Sequence, residues 1–235
     1  MKLNTHTLLP LAAMAGLALS ANAAITLSSS APGVDGLDIS NANASVNDGL
    51  DPIVIDGDVS KGVGQSILMG GTAGDLNAVT FKTRNTATND YSGVSGTQTF
   101  EVRVGTFTGD YAAFNVISTQ TITGSMNGLV NGDFITWTLN DAVALTADTL
   151  YGVIVNEMGG NVGRLDLAKN TTYDDGRVLY QNYTNFPATP VLGSIGSNSG
   201  RDANFHMDIS AAVPEPSSVA LLGLGGLALL RRRRK

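Results

Sequence analysis

The feature that most constrains this chain is a two-residue alternation of apolar and polar side chains that recurs along most of its length. In residues 97–104, Phe100, Val102 and Val104 share one face while Thr99, Glu101 and Arg103 share the other. In residues 134–139, Ile135, Trp137 and Leu139 point one way and Phe134, Thr136 and Thr138 the other. Residues 76–82, 114–123, 150–156, 177–183 and 204–210 read the same way. A period of two is that of a strand with one face buried, and no 3.6-residue pattern long enough for a helix competes with it. Gly70-Gly71, residues 93–96, Gly109-Asp110, Gly124, Asn131-Gly132-Asp133, Gly159-Gly160 and Asp175-Gly176 punctuate the runs as turns. Asn131-Gly132 is a short hairpin signal, because both residues tolerate positive φ. The pattern predicts an all-β body of roughly nine to eleven strands in two packed sheets, an antiparallel jelly-roll-like β-sandwich. A β-helix would need a constant rung period, which is absent. Residues 28–57 are less regular and are expected to wrap the sandwich edge.

Composition narrows the class of protein. Only 14 % of residues are charged, there is no cysteine, and Ser, Thr, Asn and Gly make up 88 of the 235 positions. Soluble domains carry about 25 % charged residues, so the surface is built largely from small polar groups. A coiled coil and a disulfide scaffold are excluded, and the core must hold by packing alone.

The two ends carry export information. Lys2 is followed by an apolar stretch over residues 8–19, broken only by Pro10, and then by the small-x-small triplet Ala21-Asn22-Ala23. This is the layout of a signal peptide, expected as a helix over residues 1–23, with signal peptidase cutting after Ala23. At the other end, Val213-Pro214-Glu215-Pro216 breaks any preceding strand, since proline donates no ladder hydrogen bond. Residues 217–230 then form an uncharged run and 231–235 a basic cluster, Arg231-Arg232-Arg233-Arg234-Lys235. As a helix the 14-residue run is roughly 21 Å long, short of a hydrocarbon core of about 30 Å. It reads as a marginal, transient transmembrane helix with the cations held on the cytoplasmic side.

This tail resembles the PEP-CTERM protein-sorting tail of Gram-negative bacteria. The resemblance implies that Pro214, Glu215 and Pro216 are the recognition signal for an exosortase. It also implies that residues 219–230 are the membrane segment, with Arg231, Arg232, Arg233 and Arg234 as the stop-transfer cluster. It implies removal of the helix and delivery to the cell surface or extracellular matrix. The same tail also goes under the label of an ice-binding protein C-terminal domain, which describes its sequence and is no evidence of ice binding. The domain plan is therefore residues 1–23 as leader, 24–212 as the β-sandwich body and 213–235 as the sorting tail. Short stretches point the same way: residues 145–153, with Tyr151 opening a strand after a polar turn, and residues 201–208 are similar to parts of surface β-sandwich domains.

Six of the 14 cations lie in the two ends, which leaves the body eight against at most 20 carboxylates, a charge of about −12. Such a body repels a polyanion, so nucleic acid is excluded as a partner. Catalysis has little to draw on. The body has one histidine, His206, whose neighbours in sequence are Asp202 and Asp208, and it has no Gly-x-Ser-x-Gly elbow. Its alternation with Phe205 and Met207 makes His206 a structural residue. Glu157, with Asp166 or Asp175 opposite, is the pair a glycosidase would need, but no spacing selects it, and no catalytic residue is assigned. Zinc is excluded with one histidine and no cysteine. No cofactor is expected beyond a structural calcium, for which Asp56, Asp58, Asp174 and Asp175 supply hard oxygens on Gly-containing loops. For a glycan, Trp137 falls on the core face, whereas residues 180–186 mix aromatics with amides, so Tyr180, Asn182 and Tyr183 are the candidate contacts. Thr119, Thr121 and Thr123 lack the regular stacking of an ice-binding face and read as solvent-facing strand positions. The body is expected to be non-catalytic and to bind exopolysaccharide or another envelope glycan. The alternatives are a structural or protein-contacting adhesion module, or a glycan-cleaving enzyme that depends on Glu157.

Overall fold

The computed structural model describes residues 23–45, 53–55, 61–85, 95–108, 113–158, 165–182, 195–198 and 200–212. The expected leader helix, apart from Ala23, and the whole sorting tail from Val213 onward lie outside these residues. Every regular element among the described residues is a strand. In chain order they are β1 (Ala24–Ser28), β2 (Ile39–Ser40), β3 (Ile53–Ile55), β4 (Lys61–Leu68) and β5 (Gly74–Lys82). Then come β6 (Thr97–Thr108), β7 (Ala113–Ser125), β8 (Phe134–Leu145), β9 (Leu150–Glu157) and β10 (Leu165–Leu167). The last are β11 (Lys169–Asn170), β12 (Val178–Asn182), β13 (Ile195–Asn198), β14 (Asp202–Ala203) and β15 (Phe205–Ala211).

A five-stranded sheet runs β1-β8-β5-β15-β2 and a six-stranded sheet runs β13-β12-β4-β9-β6-β7, with β10-β3 and β11-β14 as two small ribbons. All these pairings are antiparallel. The alternating runs become the long strands in the expected phase. Phe100, Val102 and Val104 from β6 and Ile135, Trp137 and Leu139 from β8 enter one core shared by both sheets. Trp137 stands between them, edge-on to Phe81 of β5 at 6.1 Å and to Phe100 of β6 at 5.4 Å. Burial of each such side chain stabilises the fold by about 1.5–3 kcal/mol. On β7, Thr119, Thr121 and Thr123 face solvent.

Two local readings are changed by the structure. Gly132 does take a positive φ of 87°, but the Asn131-Gly132 turn joins β7 in one sheet to β8 in the other. It is a crossover between layers, not a hairpin. Strand β4 was invisible to the alternation because its outer positions are Gly62 and Gly64. A Cβ on Gly64 would lie 2.1 Å from the carbonyl oxygen of Val153, so β9 packs where a side chain would stand. The irregular stretch after Ser28 does run along an edge, where β2 pairs with β15.

Both sheets share an end that matters below. Strand β4 finishes there at Leu68, opposite Leu150, the first residue of β9. Strand β5 starts there at Gly74, which pairs with Leu145 of β8 and with Ala211 of β15.

Candidate functional site

Of the residues singled out for glycan contact, the structure describes Tyr180 and the backbone of Asn182. Tyr180 lies on β12 opposite Val63, on the core-facing side, and is partly buried with the Lys169 ammonium 5.9 Å from its ring centre. Asn182 closes β12 opposite Lys61, and Tyr183 lies outside the described residues. For calcium, Asp174 and Asp175 sit exposed on the turn before β12, and Asp56 and Asp58 fall outside the described residues. No group of three or more His, Asp or Glu side chains able to hold a metal ion occurs among the described residues. Glu157 ends β9 at the far end of the sandwich from Leu68, so it does not face Asp175.

A groove of ≈ 360 Å³ opens at the end of the sandwich where β4 gives way to β5. Its walls come from three separate segments: residues 37–40, residues 68–72, and the turn that carries Tyr173 and Asp175. The size falls within the range of small-ligand sites, about 300–1,000 Å³. Two carboxylates, the hydroxyls of Ser40 and Thr72, glycine backbone and one tyrosine line it.

Tyr173 is held from several sides. Its ring stands edge-on to Phe205 of β15 at 5.2 Å, and its hydroxyl accepts the Leu68 N–H at 3.3 Å. Its backbone N–H donates to Asp202 Oδ2 at 3.2 Å, while Asp202 Oδ1 accepts from the Gln65 amide at 3.0 Å. Gln65 in turn accepts the Ala203 N–H, so a buried network ties the turn to β4 and β14. Burial pushes the Asp202 carboxyl above the usual carboxylate range, and the bonds from Gln65 and Tyr173 oppose that shift. Gly176 completes the clamp. Any side chain there would strike the Ser66 carbonyl at 2.1 Å and the Tyr173 ring at 2.6 Å. The loop 68–72 is braced in the same way, with Met69 N–H donating to Thr149 and Gly70 carbonyl accepting from Asp148.

On the other wall, Asp38 anchors the chain ahead of β2. Its Oδ2 accepts the Asp35 N–H at 2.9 Å and its Oδ1 accepts the Ile209 N–H of β15 at 2.8 Å. His206 Nε2 lies 3.6 Å from Asp38 Oδ2, and the imidazole is only 3 % exposed. Burial lowers the His206 pKa below the usual histidine value, against the pull of Asp38 and Asp208. The Nδ1 atom has no hydrogen-bond partner among the described residues, and His206 packs behind the groove wall between its strand partners Ser40 and Thr80.

The sequence offered no direct signal for this groove, because its walls join residues more than a hundred positions apart. The one usable hint was the turn signal Asp175-Gly176, which sits two residues after an isolated tyrosine.

Comparison with known proteins adds the following. Residues 212–235 match the PEP-CTERM protein-sorting motif. The chain carries that motif, which implies export, processing by an exosortase and a surface or extracellular location. No curated protein matches the chain significantly. Among solved structures, the chain is similar to the crystal structure of the cysteine protease and lectin-like domains of Cwp84, a surface layer associated protein of Clostridium difficile. Sequence identity is 10 %, the match covers 65 % of this chain and 33 % of that one, and the TM-score is 0.38. The chain thus spans about a third of that structure, and a likeness of this size says nothing of ligand or activity. No helix among the described residues is long and apolar enough to cross a membrane.

Proposed function

We propose that this is an exported surface or extracellular-matrix protein whose non-catalytic, jelly-roll-like body binds exopolysaccharide or another envelope glycan. In this reading signal peptidase cuts after Ala23, and an exosortase recognises Pro214, Glu215 and Pro216 in a precursor held briefly by residues 217–230. The start of β1 at Ala24 supports the first cut, because the mature chain then begins with a strand already paired to β8. The observation that carries the glycan reading is the groove around Tyr173. One braced aromatic ring, carboxylates, hydroxyls and backbone groups converge on it, and hydroxyl-rich rings are bound by that mixture. The groove replaces the run around Tyr180 as the place of contact.

The test is co-sedimentation of residues 24–212 with the host's own exopolysaccharide, with and without calcium. Saturable binding that Tyr173→Ala weakens by about tenfold or more, equivalent to ~1.4 kcal/mol, supports the groove. Loss on chelation would give Asp175 a metal-dependent part. Equal binding by wild type and Tyr173→Ala, with both folded by circular dichroism, would move the site elsewhere. No binding in either condition would favour the protein-contacting adhesion module. A Glu157→Gln variant is expected to behave as wild type, which separates both binding readings from a glycan-cleaving enzyme.

A further inference from the structure

One edge of the six-stranded sheet is formed by β7, the longest of the described strands. It pairs with β6 on one side, and among the described residues no strand pairs with its other side. Toward its C-terminal end that free side is closed by the neighbouring sheet. The Asn140 amide donates to the Thr121 carbonyl at 3.1 Å, and the Gln120 side chain bonds the Asp141 backbone in both directions. Gly124 packs against Ile25 of β1, where a Cβ would meet it at 2.7 Å. Residues 113–119 receive no such cover among the described residues, and Ala113, Asn115, Ile117 and Thr119 are exposed.

An open strand edge presents a row of unpaired N–H and C=O groups, and proteins blunt such edges with lysine, proline or brevity. Strand β7 has none of these: its 13 residues include no charged side chain and no proline. Among the described strands longer than five residues, it is the one without Asp, Glu, Lys or Arg. It does carry a bulge. Val104 of β6 faces Ser118 and Gly105 faces Val116, which leaves Ile117 as the extra residue. The bulge aims an apolar side chain outward, and Ile117 is 51 % exposed. The other exposed large hydrophobics, Val34, Leu68 and Val130, lie in loops or at a strand end.

We propose that residues 113–119 are a pairing edge for a second copy of this chain, which adds antiparallel to β7 about a two-fold axis near Ile117. Charge selects that occupant. The body carries about −12, so two copies repel each other except where charge is absent, and β7 is the longest uncharged strand. A cationic partner would be drawn instead to the faces that bear carboxylates. Antiparallel pairing about a two-fold axis sets the strand's backbone groups against those of its own copy, and Ile117 then covers its counterpart. The groove stays open in such a pair. Strand β4, which leads into it, is separated from β7 by β9 and β6, about 14 Å. A dimer therefore offers two grooves to one polymer and gains avidity from its repeats. That consequence rests on the function proposed above; the pairing itself does not.

The chain contains no cysteine, so single thiols report the pairing. Opposed Cα atoms of an antiparallel pair are about 4.5–5.5 Å apart, within the span of a disulfide. The full-length chain is oxidised with copper phenanthroline in detergent micelles. A concentration of about 100 µM suits an edge this short, which falls among weak interfaces. Ile117→Cys should form a disulfide-linked dimer about tenfold faster than Thr123→Cys, whose two copies would stand about 40 Å apart. Thr119→Lys, added to Ile117→Cys, sets like charges across the pair and should bring the rate down to that of Thr123→Cys. All three positions are exposed, and matching circular dichroism spectra establish that each variant is folded. Equal rates for Ile117→Cys and Thr123→Cys, or a rate that the lysine leaves unchanged, would overturn the proposal. Failure of the body to bind exopolysaccharide would remove only the two-groove consequence, while the oxidation rates still decide the pairing.

Discussion

Trp137 is the position where the packing argument is most exposed to refutation. It is the chain's one tryptophan, it has no exposed surface, and its ring bridges the two sheets through Phe81 and Phe100. Replacing a buried Trp by Ala costs about 3–5 kcal/mol through lost burial and the residual cavity. Two edge-to-face aromatic contacts, worth about 0.5–1.5 kcal/mol each, are lost with the ring. The sum, about 4–8 kcal/mol, is comparable with the whole stability of a typical domain, about 5–15 kcal/mol. Trp137→Phe should behave quite differently. The indole N–H has no hydrogen-bond partner among the described residues, so phenylalanine forfeits no polar contact there and keeps a ring between Phe81 and Phe100. Only the smaller ring area is lost, which gives about 1–2 kcal/mol. Both variants lack the fluorophore, so urea unfolding of residues 24–212 is followed by far-ultraviolet circular dichroism. With a slope of about 2 kcal/mol per molar, the Phe variant shifts the midpoint by under about 1 M. The Ala variant is expected to be largely unfolded without denaturant. Equal costs for the two variants would show that the N–H matters, and a loss below about 1.5 kcal/mol for Trp137→Ala would refute the bridging role.

Two further perturbations test local features. Because burial lowers the His206 pKa below 6.5, the unfolded chain binds the extra proton first as pH falls. Stability present above pH 6.5 is therefore lost as pH drops toward the lowered folded value, and His206→Gln should flatten that loss in denaturation between about pH 7.5 and pH 5. Asp202, with its raised pKa, acts in the opposite sense from pH 3.8 upward, but it is common to both proteins and cancels in the comparison. On β4, Gly64→Ala meets the Val153 backbone at 2.1 Å and should cost several kcal/mol, about 3 or more. Gly62→Ala meets mainly the Asn156 side-chain amide, which can swing aside, and its midpoint shift should be less than half as large.

The parts of the fold that could be read from sequence are those in which one side chain in two is apolar. Strands β5, β6, β8 and β15 declare themselves because their two faces carry side chains of contrasting chemistry. Strand β4 stays silent because Gly62 and Gly64 yield their outer face to Asn156 and Ile154. The ribbons of β3, β10, β11 and β14 are two or three residues long, too short to show a period. The groove was illegible for another reason. Alternation reports which face of a strand is buried, whereas Tyr173, Asp175 and Asp38 are placed by where three strand ends meet. Composition drew attention to Tyr180 and its amide-rich neighbours, but the register to Val63 turns that ring inward.

The order of the five-stranded sheet carries a consequence for how the body is completed. Among the described strands β15 is the last to be synthesised, yet it occupies an interior place, between β5 and β2. It contributes Phe205, Met207 and Ile209 to the core, all buried, and Phe205 also supports the Tyr173 ring. At about 1.5–3 kcal/mol each, these three side chains supply about 5–9 kcal/mol, as much as a whole domain's margin. A chain ending at Ala203 should therefore lack a cooperative urea transition and bind a hydrophobic dye, as expected for sheets that cannot close over their core. A chain ending at Ala212 should unfold cooperatively. If the two give the same midpoint, β15 is dispensable and the core assigned to it is wrong. If they differ as expected, the body cannot finish folding until Ala211 has crossed the membrane, at which point the apolar run follows only eight residues behind.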